Sequence, residues 1–94
     1  GVIALAGTIA DQALAQRITV QAYSMKKDYA KVIELAEAAA ALQTNDEDKS
    51  DIYYILGAAH NAKEQKPQAI AAFNKVTAGD KVAVAKQAVA DLSK

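Results

Sequence analysis

The residues of this chain that are able to do chemistry are few, and their spacing assigns them little of it. His60 is the only histidine. A general base needs a nucleophile or an orienting carboxylate beside it, and no motif around His60 supplies either. Asn45, Asp46, Glu47, Asp48 and Asp51 gather the oxygen ligands that calcium or magnesium prefers. A calcium loop of the EF-hand type needs those ligands at fixed alternate positions, with a central Gly and a closing Glu, and this segment lacks that spacing. Its acids read instead as a solvated turn that favours the start of the next helix. Lys26 with Lys27, and Lys63 with Lys66, are interrupted by Asp28 and Glu64, with no aromatic interleaved to stack a base. There is no Gly-rich phosphate loop, no Ser nucleophile elbow and no paired metal-binding histidine. No catalytic residue, metal or cofactor is expected.

Composition narrows the class further. With 94 residues the chain makes one domain with a modest core. Eleven basic and eleven acidic residues cancel, so no net field recruits nucleic acid or an anionic membrane. No stretch approaches the roughly 18 apolar residues of a membrane span, and the run Val2–Ala6 is too short and lacks the basic leader of a signal peptide. Starting at Gly1 rather than Met, the chain reads as processed or excised from a longer one. The absence of cysteine excludes disulfides and thiolate metal sites and fits any compartment. Alanine supplies about a quarter of the residues, against one Phe, four Tyr and no Trp. Since Ala is also the best helix former, that is the composition of closely packed helices. An all-α fold follows.

Period and punctuation place five helices and a stub. Val2–Ala6 reads as the last turn of a preceding helix, closed by Gly7, with Thr8 capping the next. The first long helix spans about Ile9 to Lys26 and packs through Leu14, Ile18, Ala22 and Tyr23. A second runs from Tyr29 to Leu42. Thr44 to Lys49 is a polar connector, and Ser50 caps a third helix that ends near Glu64. Pro67 starts a fourth that reaches Thr77. Gly79 closes it, and Asp80 caps a last helix from Lys81 to Leu92.

The third and fourth segments carry a spaced signature: Tyr53, Leu56, Gly57 and His60 on one helix, then Ala69, Phe73 and Val76 on the next. This resembles the tetratricopeptide (TPR) repeat, whose pattern is W-x2-L-G-x2-Y followed by A-x3-F within about 34 residues. Tyr53 takes the Trp place and His60 the second ring. Gly57 lets the partner helix approach, while Ala69 and Phe73 form the small and large halves of the answering face. Lys27-Asp28-Tyr29 resembles the start of a second TPR helix, with Val32, Ala36 and Ala39 at the small, aromatic and small positions. Ala6-Gly7-Thr8 echoes Ala78-Gly79-Asp80 about two repeat lengths later. Residues 13–46 thus read as a degenerate repeat, 50–83 as a well-matched one, 80–94 as a terminal or capping helix, and 1–7 as the end of an earlier helix. Thr19 and Val20 replace the Leu-Gly pair in the degenerate repeat, so its helices are expected to pack less closely. The connector around Asp46 is about three residues longer than the family norm.

The resemblance implies a short right-handed superhelix of antiparallel helix-turn-helix repeats, about five helices in all. In TPR proteins the first helix of each pair lines a concave face. By resemblance that groove is formed by Arg17, Gln21 and Ser24, by Tyr54, Ala58 and Asn61, and by Ala85 and Ala88 from the last helix. Tyr23, Tyr29 and Tyr53 are packing residues in this reading. Tyr54 either anchors a ligand in the groove or packs on a neighbouring helix. The subclass of TPR proteins that grips a C-terminal carboxylate uses several Lys, Arg and Asn side chains, and only Arg17 and Asn61 match. The function implied is a non-catalytic scaffold that holds a protein or peptide segment, with self-association through the Ala-rich end helices as the alternative. Neither nucleic acid nor membrane insertion is expected.

Overall fold

A computed structural model of the chain describes residues 9–94, with side chains described from Gln12 onward. The expected stub at Val2–Ala6, Gly7 and Thr8 lies outside the described residues. Five helices follow in order: α1 (Ile9–Met25), α2 (Tyr29–Leu42), α3 (Asp46–Ala62), α4 (Lys66–Phe73) and α5 (Val82–Leu92). No strand occurs among the described residues. Connections of three residues join the first four helices, so neighbours pack as antiparallel hairpins. Gln43, just past α2, shows the sense directly: its buried amide donates to the Ala13 carbonyl near the start of α1 at 2.8 Å, and to Ala39 at 2.9 Å.

The two hairpins repeat one another in detail. Lys27 closes the first turn with φ 61° and Glu64, 37 residues on, closes the second with φ 62°. Each turn carries the same pair of bonds: Asp28 N–H to Tyr23 O and Lys27 N–H to Ser24 O in one, Gln65 N–H to His60 O and Glu64 N–H to Asn61 O in the other. This six-to-one and five-to-two pairing satisfies the last carbonyls of α1 and α3. The core repeats at the same offset. Ala13 and Ser50, Val20 and Gly57, Val32 and Ala69, Ala36 and Phe73, and Ala39 and Val76 are all buried. Where α3 and α4 oppose Gly57 to Phe73, α1 and α2 offer Val20 and Ala36, each fully buried in one cluster. The volume has changed sides.

Two clusters of buried side chains result. Val20, Val32, Ala36, Ile52 and Leu56 centre the first, between α1, α2 and α3. Ala69, Phe73, Val76 and Ala85 centre the second, between α3, α4 and α5. Tyr53 borders both.

Several boundaries differ from the sequence reading, each for a physical reason. The third helix starts four residues before Ser50, because Asn45 is the N-cap: its side-chain oxygen accepts from Asp48 N–H at 2.8 Å. Asp46, Glu47 and Asp48 therefore form the first helical turn rather than a connector, at the positive end of the helix dipole. Ser50 lies inside the helix, fully buried, and its Oγ accepts from Thr77 N–H at 3.0 Å and Ala78 N–H at 3.1 Å. With those donors facing α3, the fourth helix stops at Phe73 instead of reaching Thr77. Gly79 has the positive φ expected, 86°, but Asp80 caps nothing: Lys81 holds the cap position of α5 and makes no side-chain bond there. In α1, the face read as packing turns outward. Leu14 is 48% and Ile18 53% exposed, and Ala22 is exposed as well, while Ala13 and Val20 go inward with Tyr23 half-buried.

Candidate functional site

The face expected to bind a partner is built from α1 and α3. Arg17 Nη1 meets Asp48 Oδ1 at 2.8 Å, with both side chains about three-quarters covered, so the two first helices are pinned side by side. Asp48 also accepts from the Asn45 amide at 2.9 Å. Arg17 is thus already engaged, and its guanidinium is shared between this ion pair and any incoming group. Gln21, Ser24 and Ala58 are half-buried and Asn61 is exposed. Among the described residues, the side chains of Gln21, Ser24 and Asn61 make no hydrogen bond, so their donors and acceptors face water.

Tyr54 is partly spoken for. Its ring centroid lies 5.6 Å from that of Phe73 at 52°, within the range of tilted aromatic pairs, and Lys81 Nζ stands 5.5 Å from its centre. It borders the second cluster and is half-buried. Ala85 does not line the face at all. It is 1% exposed and belongs to the second core cluster, against which Ala88, Val89 and Leu92 also pack. The spacing of these four residues turns that stripe of α5 onto α4, which is why Ala85 and Ala88 leave the groove.

The clearest concavities lie elsewhere. One cleft of about 140 Å³ opens between α2, α3 and α4 and is lined by Glu37, Tyr53, Leu56, His60, Gln68 and Lys75, with Ala71 and Ala72. His60 Nδ1 lies 2.7 Å from Gln65 Oε1, so with the amide oxygen as acceptor the imidazole donates there and keeps Nε2 as its acceptor. Lys75 Nζ sits 5.1 Å from the centre of the Tyr53 ring. This lining has charges of both signs and contains no Ser, Thr or Cys. His60 is half-buried rather than enclosed. A second cleft of about 280 Å³ between the end of α4 and α5 is lined mainly by Phe73, Val76, Val82 and Val89, with Lys86 at the side. Neither of these clefts includes Arg17, Gln21, Ser24, Tyr54, Ala58 or Asn61.

Among the described residues, no three His, Cys, Asp or Glu side chains are grouped to hold a metal ion. No described helix is long and apolar enough to cross a membrane. Comparison with protein-family models, with curated proteins and with solved structures finds no match for this chain.

Proposed function

We propose that the chain is a helical-repeat scaffold of the TPR kind that holds a protein or peptide segment along the face shared by α1 and α3, and that it performs no catalysis. The observation that carries this reading is the polar row on that face. Arg17 and Asp48 clamp the two helices, and Gln21, Ser24 and Asn61 present unpaired donors and acceptors on the same two helices as the half-buried Ala58 and Tyr54. An extended segment laid there meets hydrogen-bonding groups whose backbone is already fixed, so little of its binding free energy is lost in ordering the receptor. The 37-residue repetition of turns and core supports the scaffold class, since stacked hairpins form the core and the curved surface together.

The test begins with peptides selected from a random displayed library on the intact chain. Ser24→Arg and Asn61→Arg add bulk and charge to the face without entering either core cluster. Selected peptides are expected to lose at least tenfold in affinity to each variant, about 1.4 kcal/mol. Peptides that bind both variants as well as the parent would place recognition on another surface. Self-association through the end helices has one observation in its favour, the exposed apolar residues Leu14, Ile18 and Met25 on α1.

A further inference from the structure

The cleft between α2 and α4 holds opposite charges that do not meet. Both helices pack on α3, yet they scarcely touch each other, which leaves a gap of about 140 Å³ with α3 as its floor. Tyr53, Leu56 and His60 follow at helical spacings of three and four, so they form one stripe along that floor. Leu56 is buried and, with the buried Ala72 of α4, makes the base of the cleft apolar. Glu37 from α2 and Gln68 and Lys75 from α4 are exposed at its sides. Neither Glu37 nor Lys75 forms an ion pair among the described residues, whereas Lys31–Glu34 and Lys94–Asp91 close directly at 3.4 and 3.8 Å. Lys75 rests instead on the Tyr53 ring, a contact that leaves its N–H groups available to an anion. The Glu37 carboxylate, the Tyr53 hydroxyl and the Gln68 amide make no hydrogen bond among the described residues. His60, donating from Nδ1 to Gln65, presents Nε2 as a further acceptor.

We infer that this cleft binds a small zwitterion, an amino acid or a close homologue, with its ammonium on Glu37 and its carboxylate on Lys75. Two charge-assisted hydrogen bonds then form where the fold itself makes neither, and such bonds are stronger than neutral ones. The short carbon chain between the ligand's charges rests on Leu56 and Ala72, and a polar end group has Gln68 and His60 Nε2 to meet. Size sets the class as well. The cleft is smaller than the roughly 300–1,000 Å³ of sites that take drug-sized ligands, so its occupant is compact. Other small ligands fit less well. A simple anion on Lys75 leaves the Glu37 carboxylate beside it, and a calcium-like cation finds only one carboxylate in the lining. The second cleft has Lys86 as its single charged group and offers no such pairing. None of these residues belongs to the α1–α3 row, so the inference stands apart from the reading of that row.

The experiment titrates the intact chain at fixed pH with glycine, β-alanine and γ-aminobutyrate, which carry the same two charges at increasing separation. His60 is the only histidine, so its imidazole signals report on the cleft without overlap, and the Tyr53 ring gives a second probe. At least one of the three compounds is expected to shift both sets of signals saturably in the millimolar range. The same compound should raise the melting temperature, as a ligand of the folded state must. Propylamine and propionate, with one charge each, should bind at least tenfold more weakly. Glu37→Gln and Lys75→Gln, both at exposed positions, should each weaken the zwitterion by at least tenfold, while Glu34→Gln, outside the lining, should not. Three results would overturn the inference: no saturable shift with any of the three zwitterions, equal binding of propylamine or propionate, or full affinity retained by either cleft variant.

Discussion

Gly57 and Phe73 meet so closely that a Cβ placed on Gly57 would stand 2.7 Å from two carbons of the Phe73 ring. Real side chains do not approach that closely, so the ring, itself 4% exposed and held in the second cluster, would have to move. Gly57→Ala adds helix propensity worth about 1 kcal/mol but overpacks the α3–α4 contact by about 1 to 3 kcal/mol, so a net loss of about 1 kcal/mol is expected. The first hairpin shows how the clash is relieved, since it opposes Val20 to Ala36. Gly57→Val alone should destabilise strongly, and Gly57→Val combined with Phe73→Ala should recover a good part of that loss. A double-mutant cycle by urea denaturation measures the coupling. Strictly additive losses would show that the two hairpins do not share one packing scheme.

Lys27 and Glu64 occupy left-handed backbone at φ 61° and 62°, a conformation costing an ordinary side chain about 1 kcal/mol that glycine adopts freely. Lys27→Gly and Glu64→Gly should each stabilise the chain, by about 0.5 kcal/mol after allowing for the greater freedom of glycine in the unfolded state. If the two turns act independently, the double substitution should add to about 1 kcal/mol. Thermal denaturation of the two single variants and the double variant checks this. A loss of stability at either site would mean that the side chain there makes a contact outweighing the backbone strain.

These two turns also show how much was legible in the sequence and why the rest was not. The helical class and the Gly57–Phe73 pairing were visible because small and large residues recur at helical spacing around two turns. The outward rotation of Leu14 and Ile18 was not visible. A helix packed on one side by small residues buries Ala13 and Val20, and hydrophobicity alone ranks Leu and Ile above Ala for that role. The early start of α3 was signalled by Asn45 followed at the third position by Asp48: the Asn45 side chain accepts from the Asp48 backbone N–H, and its amide donates to the Asp48 carboxylate. The number of acids there masked it as a connector. Of the expected binding face, Arg17, Gln21, Ser24, Tyr54, Ala58 and Asn61 do lie on α1 and α3, but Ala85 is withdrawn into the core because the rotation of α5 is set by its contact with α4. Arg17–Asp48 joins residues 31 apart in the chain, and a single sequence has no local pattern that pairs them.

Ser50 ties two parts of the chain together through a bond that local sequence patterns do not announce. Its hydroxyl is fully buried in α3 and accepts the N–H groups of both Thr77 and Ala78, fixing the connection between α4 and α5. Gly79 continues the same docking, where an added Cβ would meet Glu47 Cγ at 2.8 Å. Ser50→Ala removes a shared acceptor and leaves two donors to find water or remain unpaired, a loss of about 1 to 3 kcal/mol. Cysteine keeps the size but accepts weakly, so Ser50→Cys should recover little of it. Amide exchange gives the sharper reading, because global destabilisation speeds exchange throughout the core, whereas loss of this anchor should act first at Thr77 and Ala78. Unchanged relative protection at those two amides in Ser50→Ala would show that the connection is held by the approach of Gly79 to Glu47 and by Val76 in the second cluster rather than by the hydroxyl.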